Sequence, residues 1–208
     1  MPRKRTKDKV ELANKVRSGW EILKDRLGEV ESYNREYIEF LTRVKTEREA
    51  VAYCRECARR DKGLILIENR GKMIAVCRKG SVPLTNGVRI IAAHIDSPRL
   101  DLKANPLYED VDFAMLKTHY YGGIKKYQWL ARPLALHGVL VKEDGSIVSV
   151  VIGEDANDPC FTIEDLLPHL AANAQYSKKL SDAFQAEKLN IIIGSRPDLE
   201  VKDNKVKE

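Results

Sequence analysis

Two side chains near the middle of the chain have the types and spacing of a metal site. They are His94 and Asp96, in the run His94-Ile95-Asp96-Ser97-Pro98-Arg99. Imidazole is a good zinc ligand, and a carboxylate nearby can hold the ring in the tautomer that presents its other nitrogen to the metal. One ligand makes no site, however, and the same residues suit a histidine at a strand end followed by an Asp-Ser-Pro turn. Spacing alone leaves both readings open. A second pattern, Cys54-Arg55-Glu56-Cys57, is formally Cys-x-x-Cys. A structural zinc site needs four ligands, and no second Cys-x-x-Cys or His-x-x-His pair completes it. The redox version starts a helix after a strand, whereas this one falls inside a helical stretch, so ordinary helix packing is expected. His119 and His137 are read as satisfied structural histidines rather than ligands.

The elements that must position these residues change character along the chain. Through about residue 60 the periodicity is helical. Ser18 and Glu21 have capping-box spacing, Trp20, Leu23 and Leu27 follow before Gly28, and Tyr33, Tyr37, Phe40, Leu41 and Val44 extend one apolar stripe that is expected to be core. Thr46 and Glu49 open a further helix carrying Cys54 and Cys57 and stopping at Gly63. The runs 64–67 and 72–77 then read as strands joined by a turn at Asn69-Arg70-Gly71. Val88-Arg89-Ile90-Ile91-Ala92-Ala93 is almost continuously apolar, which suits a central strand covered on both faces and delivering His94 at its carboxyl end. Beyond about residue 105 a different unit is expected. In it, 134–141 and 147–152 form a second hairpin, 162–174 is helical but interrupted by Pro168, and 189–193 is a short strand.

Composition narrows the function classes. In 208 residues, 43% hydrophobic and 32% charged side chains with a mean hydropathy of -0.40 describe a soluble globular chain. No apolar run approaches the roughly 20 residues of a membrane helix. The basic start lacks the apolar stretch of a secretory signal, so a cytoplasmic setting is expected. The formal charge is +5, and residues 1–60 hold 16 basic against 11 acidic side chains. Most of that excess lies in Arg3, Lys4, Arg5, Lys7 and Lys9, read as a solvated terminus rather than a nucleic-acid or membrane anchor. Four cysteines make no disulfide scaffold.

Longer motifs go further. Ile90 to Leu100, together with Lys117-Thr118-His119-Tyr120-Tyr121-Gly122-Gly123-Ile124, Trp129-Leu130-Ala131-Arg132-Pro133-Leu134 and Leu166-Leu167-Pro168-His169-Leu170-Ala171, resembles the aspartyl aminopeptidase family of zinc peptidases, M18, in its bacterial branch. The resemblance covers about residues 15–195. It implies an α/β fold in which an incomplete zinc-peptidase catalytic domain is followed by part of an inserted β-rich dimerisation domain. Residues 1–105 would form the amino-terminal lobe of the catalytic domain, 106–195 part of the insert, and 196–208 a charged tail.

By the same resemblance, His94 matches the first zinc ligand and Asp96 the active-site carboxylate that orients it. His169 matches a histidine that reaches a neighbouring subunit's active site to contact the peptide substrate. The family assembles into homo-oligomers and uses two zinc ions to activate a shared water, with a glutamate as general base. Its remaining ligands include a Glu-Glu pair, and no such dipeptide occurs here. The chain is therefore expected to be an amino-terminal portion, inactive alone and partnered by further copies or by a complementary chain. The alternative is a non-catalytic assembly protein built on the insert.

Overall fold

The fold is taken from a computed structural model that describes residues 16–200, 202 and 206. The basic segment Arg3 to Lys9, and residues 201, 203–205 and 207–208 of the charged tail, lie outside the described residues. The chain divides into two compact units, Met1–Val44 and Lys45–Glu208.

The first unit is helical. Ser18 caps a single turn, α1 (Gly19–Ile22), accepting the Trp20 amide at 3.3 Å. A 3-10 turn at Lys24–Arg26 leads to α2 (Leu27–Arg43). Gly28 is the second residue of α2, where the backbone N–H groups have no intrahelical partner to lose. Tyr33, Tyr37 and Phe40 stack along one face at 6.5 and 6.2 Å. The core expected from this stripe is not formed within the unit, since no residue of α2 is buried. Periodicity marks which face of a helix seeks cover, but one long helix and one turn do not supply that cover.

The second unit begins with α3 (Glu47–Arg59). Its capping box is complete: Thr46 Oγ1 accepts the Glu49 amide at 3.3 Å, and Glu49 Oε2 accepts the Thr46 amide at 2.8 Å. The strands β1 (Leu64–Asn69) and β2 (Met73–Arg78) pair antiparallel as expected. Arg70 and Gly71, at φ 52° and 65°, form the two left-handed residues of a tight hairpin turn. Helix α3 packs on this hairpin, burying Ala50, Val51 and Ala58. Arg55 grips Glu68 through two bonds of 2.6 and 2.5 Å, and Lys72 reaches Glu47 at 3.3 Å.

The apolar run before His94 departs from expectation. Residues 87–98 form no strand, and Ile90 and Ile91 are 81% and 99% exposed. A strand exists only through a ladder, and a run this apolar needs covering layers as well. Among the described residues neither is supplied.

The remaining strands all lie beyond residue 98. The strands β3 (Arg99–Asp110) and β4 (Phe113–Tyr121) pair antiparallel, with β3 running through residue 105. Their ladder breaks where residues 103–106 stand against Lys117 alone, a stretch containing Pro106, which has no N–H to donate. A separate hairpin joins β5 (Leu136–Val141) to β6 (Ile147–Ile152), as the pattern indicates. Helix α4 (Pro168–Ala174) starts at Pro168 rather than breaking there, because proline at a first helical position forfeits no hydrogen bond. After α5 (Leu180–Ala183), β7 (Ile191–Gly194) joins the other edge of β4. Leu116, Phe161, Ile163, Leu189 and Ile191 form the core beside this sheet. The buried Thr118 hydroxyl donates to the Leu189 carbonyl.

His137 on β5 sits between two carboxylates, its side chain only 10% exposed. Nδ1 lies 2.7 Å from Glu49 Oε1, and Nε2 lies 2.9 Å from Glu154 Oε1. It is the structural histidine expected, and it ties α3 to the β5–β6 hairpin. Burial pushes the Glu49 carboxyl up, but the bonds from His137 and from the Lys45 and Thr46 amides outweigh burial and hold it below its ordinary value.

Two predictions follow from these local geometries. Val111 and Asp112 form the two-residue β3–β4 turn at φ 48° and 61°, a left-handed conformation that a β-branched residue adopts under strain. Replacing the pair by Asn-Gly should raise unfolding stability by about 1–2 kcal/mol in urea titrations. For Glu49, the folded pKa lies below the unfolded one. Its stabilising contribution is complete above the unfolded pKa and is lost as pH falls through the lowered value. Urea midpoints should therefore fall on acidification from about pH 5, and less steeply in Glu49→Gln.

Candidate functional site

An open cleft of about 420 Å³ lies in the second unit, with Glu47, Lys72, His94, Asp96, Arg99 and Tyr121 on its walls. They come from five settings: the first turn of α3, the turn just before β2, the irregular segment 87–98 that carries both His94 and Asp96, the start of β3 and the end of β4. The two sequence-derived candidates His94 and Asp96 are both there, joined to each other. His94 Nδ1 lies 3.0 Å from Asp96 Oδ1 and 3.0 Å from the Asp96 carbonyl oxygen. Both of these atoms are acceptors when the carboxylate is ionised, so Nδ1 carries a proton, and in the neutral ring that leaves the lone pair on Nε2.

Asp96 is held ionised. A hydrogen bond from the Tyr121 hydroxyl, at 2.7 Å to Oδ2, is the main cause, aided by the Asp96 amide and by His94. Tyr121 is correspondingly pushed up by Asp96 and stays protonated. Over the face of the tyrosine ring, the Arg99 guanidinium stands 4.3 Å from the centroid. Arg99 pairs with Asp101 at 2.7 Å and with Glu47 Oε2 at 3.2 Å. Burial raises the Glu47 carboxyl, but its own backbone amide and the Lys72 and Arg99 charges hold it below the usual range.

The third candidate, His169, stands exposed in the first turn of α4 and does not line this cleft. His119 is exposed and stacks on Tyr120 at 5.5 Å. Sequence reasoning missed Glu47, Arg99 and Tyr121 as cleft residues. Arg99 and Tyr121 lie in quoted motifs, but only the β3–β4 register places them opposite each other. Glu47 gives no signal beyond its place in a helix's first turn.

A donor set built on His94 fits one zinc ligand: an imidazole with Nδ1–H fixed by a carboxylate and Nε2 free for a metal. Among the described residues, no three His, Cys, Asp or Glu side chains are grouped to hold a metal ion. A full coordination sphere thus needs donors from outside the described residues.

Residues 40–208 match the profile of the aminopeptidase I zinc metalloproteases, M18. The chain belongs to the M18 family. A probable M18 family aminopeptidase 1 of Clostridium acetobutylicum is 46% identical across 95% of the chain and 46% of the relative, and one of Thermotoga maritima is 44% identical across 81% and 40%. The crystal structure of an M18 aminopeptidase from Thermotoga maritima superposes with a TM-score of 0.81 at 42% identity, covering 86% of this chain and 42% of that one. Aminopeptidase I from Clostridium acetobutylicum gives 0.78 at 40% identity, over 94% and 47%. The chain spans less than half the length of these M18 relatives, and its mixed α/β structure matches that portion of their fold. No helix among the described residues is long and apolar enough to cross a membrane.

The Cys-x-x-Cys pair lies on α3 away from this cleft. Cys57 is exposed and Cys54 half-buried, and both are free thiols. Burial raises the Cys54 thiol, and the neighbouring Cys57 raises it further. That is the opposite of an activated redox thiol. In the folded chain, Cys57 should react with iodoacetamide at least several-fold faster than Cys54, as followed by peptide mass spectrometry.

Proposed function

We propose that this chain is the amino-terminal part of an M18-type metalloaminopeptidase. Residues 1–105 correspond to the first lobe of the catalytic domain, 106–195 to part of the dimerisation insert and 196–208 to a charged tail. The whole-protein activity is hydrolysis of the amino-terminal residue of peptides, in the cytoplasm, at a site with two zinc ions. The observation that carries this reading is the His94–Asp96 pair on the cleft wall, inside a segment that shares the M18 motif.

The roles of the chain's own residues follow from its geometry. Asp96 holds a proton on Nδ1 of His94 and so turns Nε2 outward as the metal-binding nitrogen. Zinc, when bound, supplies Lewis-acid chemistry and an acidified water. His169, exposed on α4, is free to contact a peptide held by another subunit of a homo-oligomer. The acidic pairs Glu109-Asp110, Glu143-Asp144, Glu154-Asp155 and Glu164-Asp165 stand outside the family's ligand motifs, and no residue here takes the general base's role. On this reading the chain alone is inactive and works with a chain bearing the other ligands.

A second reading, a non-catalytic assembly protein, draws support from the exposed run at Ile90 and Ile91, which invites association. Light scattering with and without chelator separates the two: metal-independent oligomers favour assembly, and zinc-dependent association with a second chain favours the divided enzyme. For the first reading, purified chain with added zinc should give no turnover of aminoacyl-p-nitroanilides. Turnover abolished by His94→Ala would overturn the inactivity of the isolated chain.

A further inference from the structure

We infer that Tyr121 is a positioning residue for His94, acting through Asp96, and that Arg99 holds Tyr121 in place for that task. The inference rests on the reading of His94 as a metal ligand, and adds where its orientation comes from. His94 and Asp96 lie in the segment 87–98, which has no ladder to fix it, and the His94 side chain is 83% exposed. A carboxylate bound only to the imidazole would turn with it. Asp96 is different because its two oxygens have different partners: Oδ1 faces His94 Nδ1, and Oδ2 accepts the Tyr121 hydroxyl at 2.7 Å. The second bond fixes the carboxylate plane, and that plane fixes the ring.

Tyr121 can do this because it belongs to a regular element. It is the last residue of β4 and pairs with Arg99, the first residue of β3. The Arg99 guanidinium lies 4.3 Å from the tyrosine ring centroid. That guanidinium is itself held by a hydrogen bond to Asp101 of β3 and by an ion pair with Glu47 of α3, and Glu47 is paired in turn with Lys72 of the β1–β2 turn. A chain of contacts, Lys72–Glu47–Arg99–Tyr121–Asp96–His94, thus passes from ordered hairpin and helix to the disengaged loop. Gly122 lets the strand end close on that loop. Its φ is +71°, a left-handed conformation that a residue with a β-carbon adopts only under strain.

The test uses the full chain with Tyr121→Phe, which removes the hydroxyl and keeps the ring under Arg99. Long-range ¹H–¹⁵N NMR of His94, recorded about two units above the ordinary histidine pKa, reads the tautomer directly. The parent should be mainly Nδ1–H, and Tyr121→Phe should move His94 toward Nε2–H. Chelator competition with zinc alone should show an affinity lowered by about tenfold, while Tyr120→Phe leaves both readouts unchanged. Gly122→Ala keeps both hydroxyl and carboxylate but strains the backbone at the strand end, where φ is +71°, and should shift the tautomer the same way. An unchanged tautomer in both Tyr121→Phe and Gly122→Ala overturns the inference even where His94 binds zinc. A shifted tautomer with zinc binding indifferent to His94→Ala upholds the positioning and instead defeats the metal-ligand reading.

Discussion

The first turn of α3 carries two carboxylates, and between them they reach all three sheets found among the described residues of the second unit. Glu47 pairs with Lys72 of the β1–β2 hairpin and with Arg99 of the β3–β4–β7 sheet. Glu49 closes the helix's own capping box and also meets His137 of the β5–β6 hairpin. These sheets share no ladder with one another; short backbone bridges through Phe161 and Thr162 link β7 to the approach to β5, and ion pairs and packing supply the other ties between them. A helix amino terminus favours negative charge, because its free N–H groups and dipole both point at it. His137 with the Lys45 and Thr46 amides at Glu49, and the Glu47 amide with Lys72 and Arg99 at Glu47, keep both carboxylates ionised and able to act as joints.

Much of the architecture was legible because local rules decided it. The Thr46–Glu49 capping box, the Asn69-Arg70-Gly71 turn and the hairpin around Gly145 are short-range patterns with one good solution each. The His94–Asp96 pair was legible too, since two residues of separation already place them together. Tyr121, Arg99 and Glu47 were not, because their meeting depends on the β3–β4 register and on the seating of α3, which sequence spacing does not encode. Pro168 was misread for a related reason: proline both breaks and begins helices, and only the position of the first turn distinguishes the two.

The larger departures share one cause. The Tyr33–Leu41 stripe and the 88–93 run both have the pattern of buried surface, yet within their units the described residues leave them largely uncovered. Hydrophobic pattern records what a segment is suited to pack against, not whether that partner is present. This agrees with a chain that spans less than half the length of its M18 relatives, and it explains why fold class was easier to read than burial.

The uncovered run at Ile90 and Ile91 leads directly into His94. Order in one is therefore order in the other. On the proposed reading of His94 as a metal ligand, a surface that buries the run would restrain the loop and tighten the hold of His94 on that ligand. By thermodynamic reciprocity, a ligand gripped by His94 strengthens attachment of that surface by the same factor. On that reading, assembly and metal capture share a single coupling energy, carried by a six-residue run, five of them apolar, that no strand has claimed.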